Sequence, residues 1–155
     1  MGSDLCSKEL AQSYLAGKGV SLVPHFLSLH LLCNPGAALG AFSSHTWAVG
    51  MIEIIGCVGF AIGIFLADSP LLLAGFSFGL AGGAGNLADR IIHAHGFLNG
   101  CVVDFIDYGW SVGNVADIYL FVAAVCICIF IFYFDKRGKD EKNSASSRKS
   151  GRRKV

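Results

Sequence analysis

Three long apolar segments dominate the pattern of hydrophobic and polar positions along the chain. They cover residues 47–67, 71–88 and 115–134, which are 21, 18 and 20 residues long. A helix needs about 17–25 mostly apolar residues to cross the ~30 Å hydrocarbon core of a bilayer. The pattern therefore predicts three membrane-spanning helices, with a tight turn at Asp68-Ser69-Pro70 between the first two.

Glycines recur every four residues in two of these segments. The second segment contains Gly75, Gly79 and Gly83, and the first contains Gly59 and Gly63. Small residues at this spacing allow helix backbones to approach closely within a membrane. We therefore expect the helices to form a packed bundle.

The region between residues 18 and 46 has a different period. Leu27, Leu29 and Leu31 alternate with polar residues, which is typical of a short strand. The sequence Asn34-Pro35-Gly36 then has the composition of a turn. We predict a small β segment here, lying at the outer membrane surface.

Composition and charge support a membrane protein and give it an orientation. Hydrophobic residues make up 54% of the chain and charged residues 15%, which excludes a disordered chain, a nucleic-acid-binding domain and an ordinary cytosolic fold. Nine of the 12 lysines and arginines lie between residues 136 and 154. By the positive-inside rule this end is cytoplasmic, so residues 18–46 and 91–114 face outward. We predict a membrane domain over residues 1–135 and a basic, disordered tail over residues 136–155.

The six cysteines do not indicate a disulfide or zinc framework. Cys57, Cys126 and Cys128 lie in apolar segments, where a free thiol packs as a small hydrophobic group. Cys33 and Cys101 both lie on the predicted outer side, but nothing in the sequence indicates that they pair. We therefore expect free cysteines and no metal site.

Four carboxylates lie within or beside apolar segments, namely Glu53, Asp89, Asp104 and Asp117. An ionisable group at membrane depth costs about 2.5–3.5 kcal/mol on insertion scales, so each one indicates either a paired structural group or a functional site. We interpret Glu53 as paired with an unidentified partner. Asp89 and Arg90 are either an ion pair at a helix end or part of a site.

Asp104 and Asp117 are the stronger candidates for chemistry, because they come from different elements on the same outer side. Two carboxylates brought together at low dielectric share one proton, so one can act as a base towards water and the other as an acid towards a leaving group. This arrangement indicates an aspartic peptidase, and a proton-coupled transporter would use the same groups. A serine peptidase is not favoured, because Ser77 has no neighbouring lysine.

Five short blocks follow one another along residues 4–134. They are Asp4-Leu5-Cys6-Ser7-Lys8, the stretch from Val23-Pro24 to Asn34-Pro35-Gly36-Ala37-Ala38, Gly82-Gly83-Ala84-Gly85-Asn86-Leu87-Ala88-Asp89-Arg90, Val102-Val103-Asp104-Phe105 and Asn114-Val115-Ala116-Asp117. In this order and spacing, the blocks resemble those of the bacterial lipoprotein signal peptidases (signal peptidase II).

The resemblance implies an all-α integral membrane bundle of four helices with a small extracytoplasmic β segment. It implies cleavage of prolipoproteins before their diacylglyceryl-modified cysteine, with no metal or cofactor. Asp104 and Asp117 would be catalytic and Asp89 structural. The residues that the resemblance assigns to substrate binding are Asn34, Gly36, Asn86, Arg90 and Asn114. The implied partners are prolipoproteins and membrane lipids, with the protein a monomer in the bacterial inner membrane and its site on the extracytoplasmic side.

The chain departs from that family at its first helix. Only Met1-Gly2-Ser3 precede the Asp4 block, where the family has a longer apolar stretch, and residues 4–17 are too short and polar to span a membrane. We therefore expect a truncated first helix. The alternatives to an active peptidase are a truncated, inactive relative of the family and a proton-coupled membrane transporter.

The charge asymmetry makes a prediction about topology. A reporter fused after Val155 should behave as cytoplasmic, and a reporter inserted near Gly96 should behave as external, because the basic residues follow the last span directly. Paired phosphatase and fluorescent-protein fusions measure this. An external tail would reverse the orientation and place the aspartates on the wrong side for exported substrates.

Overall fold

The computed structural model describes residues 1–37 and 41–152, with side chains described up to residue 134. The helices are α1 (Gly2–Leu15), α2 (Thr46–Leu66), α3 (Pro70–Ile92) and α4 (Val115–Arg152), and a 3₁₀ turn at Ser43–His45 precedes α2. The strands are β1 (Val20–Val23), β2 (Leu27–Asn34), β3 (Val102–Asp107) and β4 (Val112–Gly113). The predicted fold class of a helical bundle with a small β segment is confirmed.

Three helical segments of the described chain are long and apolar enough to cross a membrane. They are Ser43–Leu66, Pro70–Ile92 and Val115–Phe134, in agreement with the three predicted spans. The remaining helix, α1, has only 14 residues and buries one stripe of its surface. The buried residues of that stripe are Asp4, Lys8, Ala11 and Leu15.

The backbone of α4 continues beyond its apolar part as far as Arg152. The sequence predicts a disordered tail over residues 136–155, whereas the described backbone of that tail is helical to Arg152. The side chains of these residues, and residues 153–155 altogether, lie outside the described part of the chain. The division into a membrane domain and a tail stays a prediction.

Glycines allow α3 to contact each of the other three helices. A Cβ atom at Gly79 would lie 2.6 Å from the Phe60 ring of α2, and one at Gly82 would lie 2.6 Å from the Ala116 carbonyl oxygen of α4. At Gly85 it would lie 2.5 Å from a carboxylate oxygen of α1. The predicted close packing is therefore found at these positions. Gly59 contributes nothing to it, since no atom lies within 4 Å of its Cβ position.

The four strands form one antiparallel sheet in the order β1-β2-β3-β4. The strand predicted around Leu27, Leu29 and Leu31 is β2, which extends to Asn34 and is one of the two inner strands of the sheet. It pairs with β3 so that Asn34 lies opposite Val102. The inner face of the sheet packs on α1 through a cluster of Ala11, Leu15 and Phe105. This packing places the end of β2 and the middle of β3 against the helical bundle.

Cys33 and Cys101 form a disulfide, with their Cα atoms 5.4 Å apart. The expectation of free cysteines throughout was therefore wrong at this pair. The cause is the strand register, because Asn34 and Val102, the residues that follow the two cysteines, are paired between β2 and β3. The two cysteines are 68 positions apart with two helices between them, so their spacing in the sequence carried no signal. Four described cysteines are free: Cys6, Cys57, Cys126 and Cys128.

The helix contacts predict opposite effects for two glycine substitutions. Gly82→Ala should lower the free energy of unfolding by about 1–3 kcal/mol, the usual cost of overpacking. The reason is that the new methyl group meets backbone atoms of α4, which cannot rotate away. Gly59→Ala should leave stability unchanged or raise it, because its Cβ position is open and alanine favours helix. Thermal unfolding of both variants in the same detergent tests this, and equal melting temperatures would contradict it.

Candidate active site

The predicted site residues converge on a cavity of about 590 Å³ between the sheet and the helices. Six of them line it: Asn34, Gly36, Asn86, Arg90, Asp104 and Asp117. The seventh, Asn114, is fully buried and contacts both aspartates. Residues separated by more than 80 positions in the sequence therefore meet at one place.

Asp104 lies on β3 and is only 2% exposed. Its Oδ2 accepts a hydrogen bond of 2.9 Å from the Asn34 side-chain amide, and its Oδ1 accepts one of 2.6 Å from the Asn114 amide. The donors come from the end of β2 and from the residue just before α4. The strand register and the start of a helix thus fix this carboxyl group from two sides.

Asp117 is positioned by the way α4 begins. The Asn114 Oδ1 accepts from the Asp117 backbone N–H at 3.1 Å, and the Asp117 Oδ2 accepts from the Asn114 N–H at 3.0 Å. This reciprocal pair is a capping box, in which residues three apart satisfy each other's free backbone donors at a helix N-terminus. The Ala116 N–H donates to the Asp4 Oδ1 at 2.8 Å, which satisfies a further donor. The Asn-x-x-Asp spacing therefore fixes Asp117 locally.

The three asparagine side chains all turn their NH₂ groups towards the carboxylates. Asn34 accepts from the Gly36 N–H with its oxygen, so its nitrogen donates to Asp104. Asn86 likewise donates from its nitrogen to Asp117 at 3.3 Å. The Asn86 oxygen accepts from the Asn114 amide, and Asn114 donates to Asp104 as well. These amides hold the two carboxylates in place, because their oxygens are already occupied.

A buried lysine supports this arrangement from α1. The Lys8 ammonium lies 2.9 Å from an oxygen of Asp4, 2.9 Å from an oxygen of Asp89, and 3.1 Å from the oxygen of Asn86. Lys8 is 2% exposed, so these three contacts replace its hydration. The sequence reasoning gave Lys8 no role of its own. Its signal was the four-residue spacing from Asp4, which places both side chains on one face of a helix.

Asp89 and Arg90 do not pair with each other, and that interpretation of the sequence was wrong. Asp89 accepts from Lys8 and from the Val103 N–H at 2.9 Å, whereas Arg90 donates to Glu53 at 2.9 Å. Adjacent residues on a helix point in different directions, so they cannot meet. The unidentified partner of Glu53 is therefore Arg90.

The electrostatics of the site favour a carboxyl group that can hold a proton near neutral pH. Burial raises the pKa of Asp104 to about 6, and the charge of Asp117 adds to this, while the donors Asn34 and Asn114 and the charge of Lys8 oppose it. Burial, followed by the charges of Asp117 and Asp104, also raises the pKa of Tyr108 in the cavity wall. The charge of Asp117 thus acts on Asp104, as two carboxylates that share one proton require.

Comparison with known proteins gives consistent matches. The family model described as signal peptidase (SPase) II matches residues 1–133. A protein named lipoprotein signal peptidase from Bifidobacterium longum subsp. infantis is 46% identical over 129 residues, covering 83% of this chain and 71% of that protein. The protein of the same name from Mycobacterium leprae is 38% identical over 161 residues, covering 97% of this chain and 78% of that protein.

Two solved structures of bacterial membrane enzymes share the fold. One aligns with a TM-score of 0.66 at 27% identity, over 83% of this chain and 84% of that chain. The other aligns with a TM-score of 0.63 at 25% identity, over 86% and 89% respectively. The similarity therefore extends over most of this chain.

Proposed function

This chain belongs to the signal peptidase II family, whose members remove signal peptides from lipoproteins, and we propose that Asp104 and Asp117 are the catalytic dyad of this membrane peptidase. The observation that carries the proposal is the convergence of the two carboxyl groups on one cavity, each held by amide donors. Because the chain belongs to this family, a peptidase is favoured over the proton-coupled transporter that the sequence left open.

The dyad carries out hydrolysis with one shared proton. The ionised carboxylate takes a proton from a water molecule as the water attacks the scissile carbonyl carbon. The protonated carboxyl group gives its proton to the departing amine when the C–N bond breaks. Asp104 is suited to this exchange because its pKa of about 6 lies close to neutral pH, and general acids and bases work best near the pH at which they operate.

The substrate lies in the cavity beside the dyad. Gly36 and the side chains of Asn34, Asn86 and Arg90 line the wall there, so an extended peptide meets polar groups next to the scissile bond. Asn114 is buried and acts indirectly, through its hydrogen bonds to Asp104 and Asp117. Apolar side chains also line the cavity and suit the acyl chains of a diacylglyceryl-modified cysteine. They include Phe42, Val49, Ile52 and Leu120.

The protein acts as a monomer in the bacterial inner membrane, among its lipids, with its site on the extracytoplasmic side. One chain supplies both aspartates and the walls of the cavity, which supports a monomer. The disulfide joins Cys33 of β2, next to Asn34, to Cys101, which directly precedes the strand β3 that carries Asp104. Disulfides persist in oxidising compartments, which supports the outward orientation of this end.

Substitution of either aspartate should abolish cleavage. Asp104→Asn and Asp117→Asn keep the side-chain size but remove the acid–base function, so each should reduce the rate at least 10²–10⁴-fold, about the contribution of a positioned acid or base. The double variant should be little worse than either single variant, because groups that act as one unit are not additive. The measurement is accumulation of uncleaved prolipoprotein in membranes, with the level of the peptidase determined alongside.

Asp107→Asn is the matched control for this experiment. Asp107 lies on the same strand as Asp104, but it contacts Ser28 and the Gly109 backbone outside the cavity. The Asp107→Asn variant should therefore cleave the precursor at the normal rate. Substantial cleavage by either dyad variant at a normal protein level would end the assignment, and no cleavage by the unmodified chain would indicate the inactive relative.

Asn34→Leu should weaken turnover and change its pH dependence in a defined direction. With one shared proton, kcat/KM falls as pH rises through the upper pKa of the dyad, which the pKa of Asp104 places near 6. The Asn34 donor favours the ionised form of Asp104, so its loss raises that pKa. The fall in kcat/KM should therefore move to higher pH, while the protein level in the membrane stays near normal.

The control is Asn99→Leu, which replaces an exposed asparagine outside the cavity and should leave the pH profile in place. The measurement is kcat/KM from pH 5 to 9 with a lipidated precursor in detergent. Equal loss of protein and of activity would show that Asn34 only forms the turn.

A further inference from the structure

Glu53 is a charged residue within the apolar, membrane-spanning part of α2. It lies in a membrane-spanning segment, belongs to none of the five blocks that resemble the family, and lines the cavity with its side chain 18% exposed. A carboxylate at that depth is unfavourable unless a partner holds it. Its partner is the Arg90 guanidinium, which lies on the neighbouring helix α3.

Arg90 uses two sides of its guanidinium for two different tasks. Its Nε donates to both oxygens of Glu53, at 2.9 and 3.0 Å. Its terminal nitrogens donate to backbone carbonyls, at 3.1 Å to Pro35, 2.6 Å to Gly36 and 3.2 Å to Gly100. Because the guanidinium is planar and rigid, fixing Nε against α2 also fixes the direction in which the other donors point.

The turn that Arg90 holds determines how Asn34 is oriented. The Gly36 N–H donates to the Asn34 Oδ1 at 3.0 Å, which leaves the Asn34 nitrogen to donate to Asp104 at 2.9 Å. If the turn moved, the amide would lose the contact that selects this orientation. The contacts therefore run without a gap from Glu53 through Arg90 and Gly36 to Asn34, and from there to the carboxyl group of Asp104.

We propose that Glu53 is a positioning residue for peptide cleavage: it fixes the Arg90 guanidinium, which holds the Pro35–Gly36 turn where Asn34 donates to Asp104. The proposal rests on the proposed role of Asp104 in catalysis. It explains why a carboxylate, and not an apolar side chain, occupies this position in α2. Arg90 is 1% exposed, and without Glu53 its buried charge would have no acidic partner on that side.

Glu53→Gln tests the proposal, because glutamine keeps an oxygen for the Arg90 Nε but removes the charge and the two-oxygen contact. We expect kcat/KM to fall about 10- to 100-fold, the size of effect that a misplacement of roughly 1 Å produces at a catalytic group. We also expect the fall in kcat/KM at high pH to move to higher pH. The reason is that Asn34 no longer stabilises the ionised form of Asp104.

The direction of this pH shift separates positioning from a direct effect of charge. The charged groups that act on Asp104 are Asp117 from α4 and Lys8 from α1, and those that act on Glu53 are Arg90, Lys8 and Asp117. Loss of a negative charge at Glu53, acting through space, would lower the pKa of Asp104. A movement of the profile to lower pH, or no movement, would therefore overturn the proposal.

Gly63→Ala is the matched control for simple destabilisation. It lies in the same helix, and its new methyl group would meet the Phe76 ring at 2.8 Å, away from the cavity. It should lower the melting temperature but leave the pH profile unchanged. Glu53→Asp serves if the glutamine variant does not accumulate. It keeps the charge with a shorter reach, so we expect the same direction of pH shift and a smaller loss of kcat/KM.

The outcome for Glu53 can be distinguished from the outcome for the dyad. If Asp104→Asn still cleaves the precursor, the dyad assignment fails and the Glu53 result no longer bears on catalysis. If Asp104→Asn is inactive while Glu53→Gln and Glu53→Asp both retain the profile of the unmodified protein, the dyad stands and the positioning role of Glu53 is wrong.

Discussion

The buried Lys8 ammonium holds α1 against α3, and the geometry of the site depends on this contact. It is buried between two carboxylates, Asp4 of α1 and Asp89 of α3, and it also contacts the Asn86 oxygen. A buried charge is tolerated only when it is paired and fully hydrogen-bonded. Each partner therefore has to be present, and in meeting that requirement α1 is fixed against α3. The Asn86 amide is turned at the same time, so that its nitrogen faces Asp117.

Those features of the site that depend on near neighbours in the sequence could be predicted. The apolar segments gave the three spans, and the alternation around Leu29 gave β2. The three-residue spacing of Asn114 and Asp117 is close to one helical turn, and the structure shows that it forms a capping box at the start of α4. Each of these features follows from the geometry of one helix or one strand, which a single stretch of sequence specifies.

The pairings between elements could not be predicted, because they depend on how the elements pack. Glu53 lies 37 residues from Arg90, and either could have paired elsewhere; which partner each one meets is decided by the close approach of α2 to α3. The disulfide of Cys33 and Cys101 depends in the same way on the register of β2 and β3. Charged residues within apolar segments need partners, which the sequence indicates. Only the packing of the elements shows which partners they have.

The site has an energetic cost that the surrounding contacts must offset. The pKa of Asp104 rises from 3.8 in the unfolded chain to about 6 in the folded protein, so the folded state binds this proton more tightly. The stability that this provides is complete below pH 3.8 and is lost as pH rises through 6, a difference of about 3 kcal/mol at 1.36 kcal/mol per pKa unit. Near neutral pH the ionised carboxyl group is therefore destabilising. Asn34 and Asn114 reduce this cost by donating to the carboxylate. They do not remove it, because the pKa of Asp104 stays above its usual value despite both hydrogen bonds. The donors around Asp104 thus leave its pKa at about 6, a value that suits the acid–base chemistry proposed for Asp104 and Asp117, at a cost in the stability of the fold.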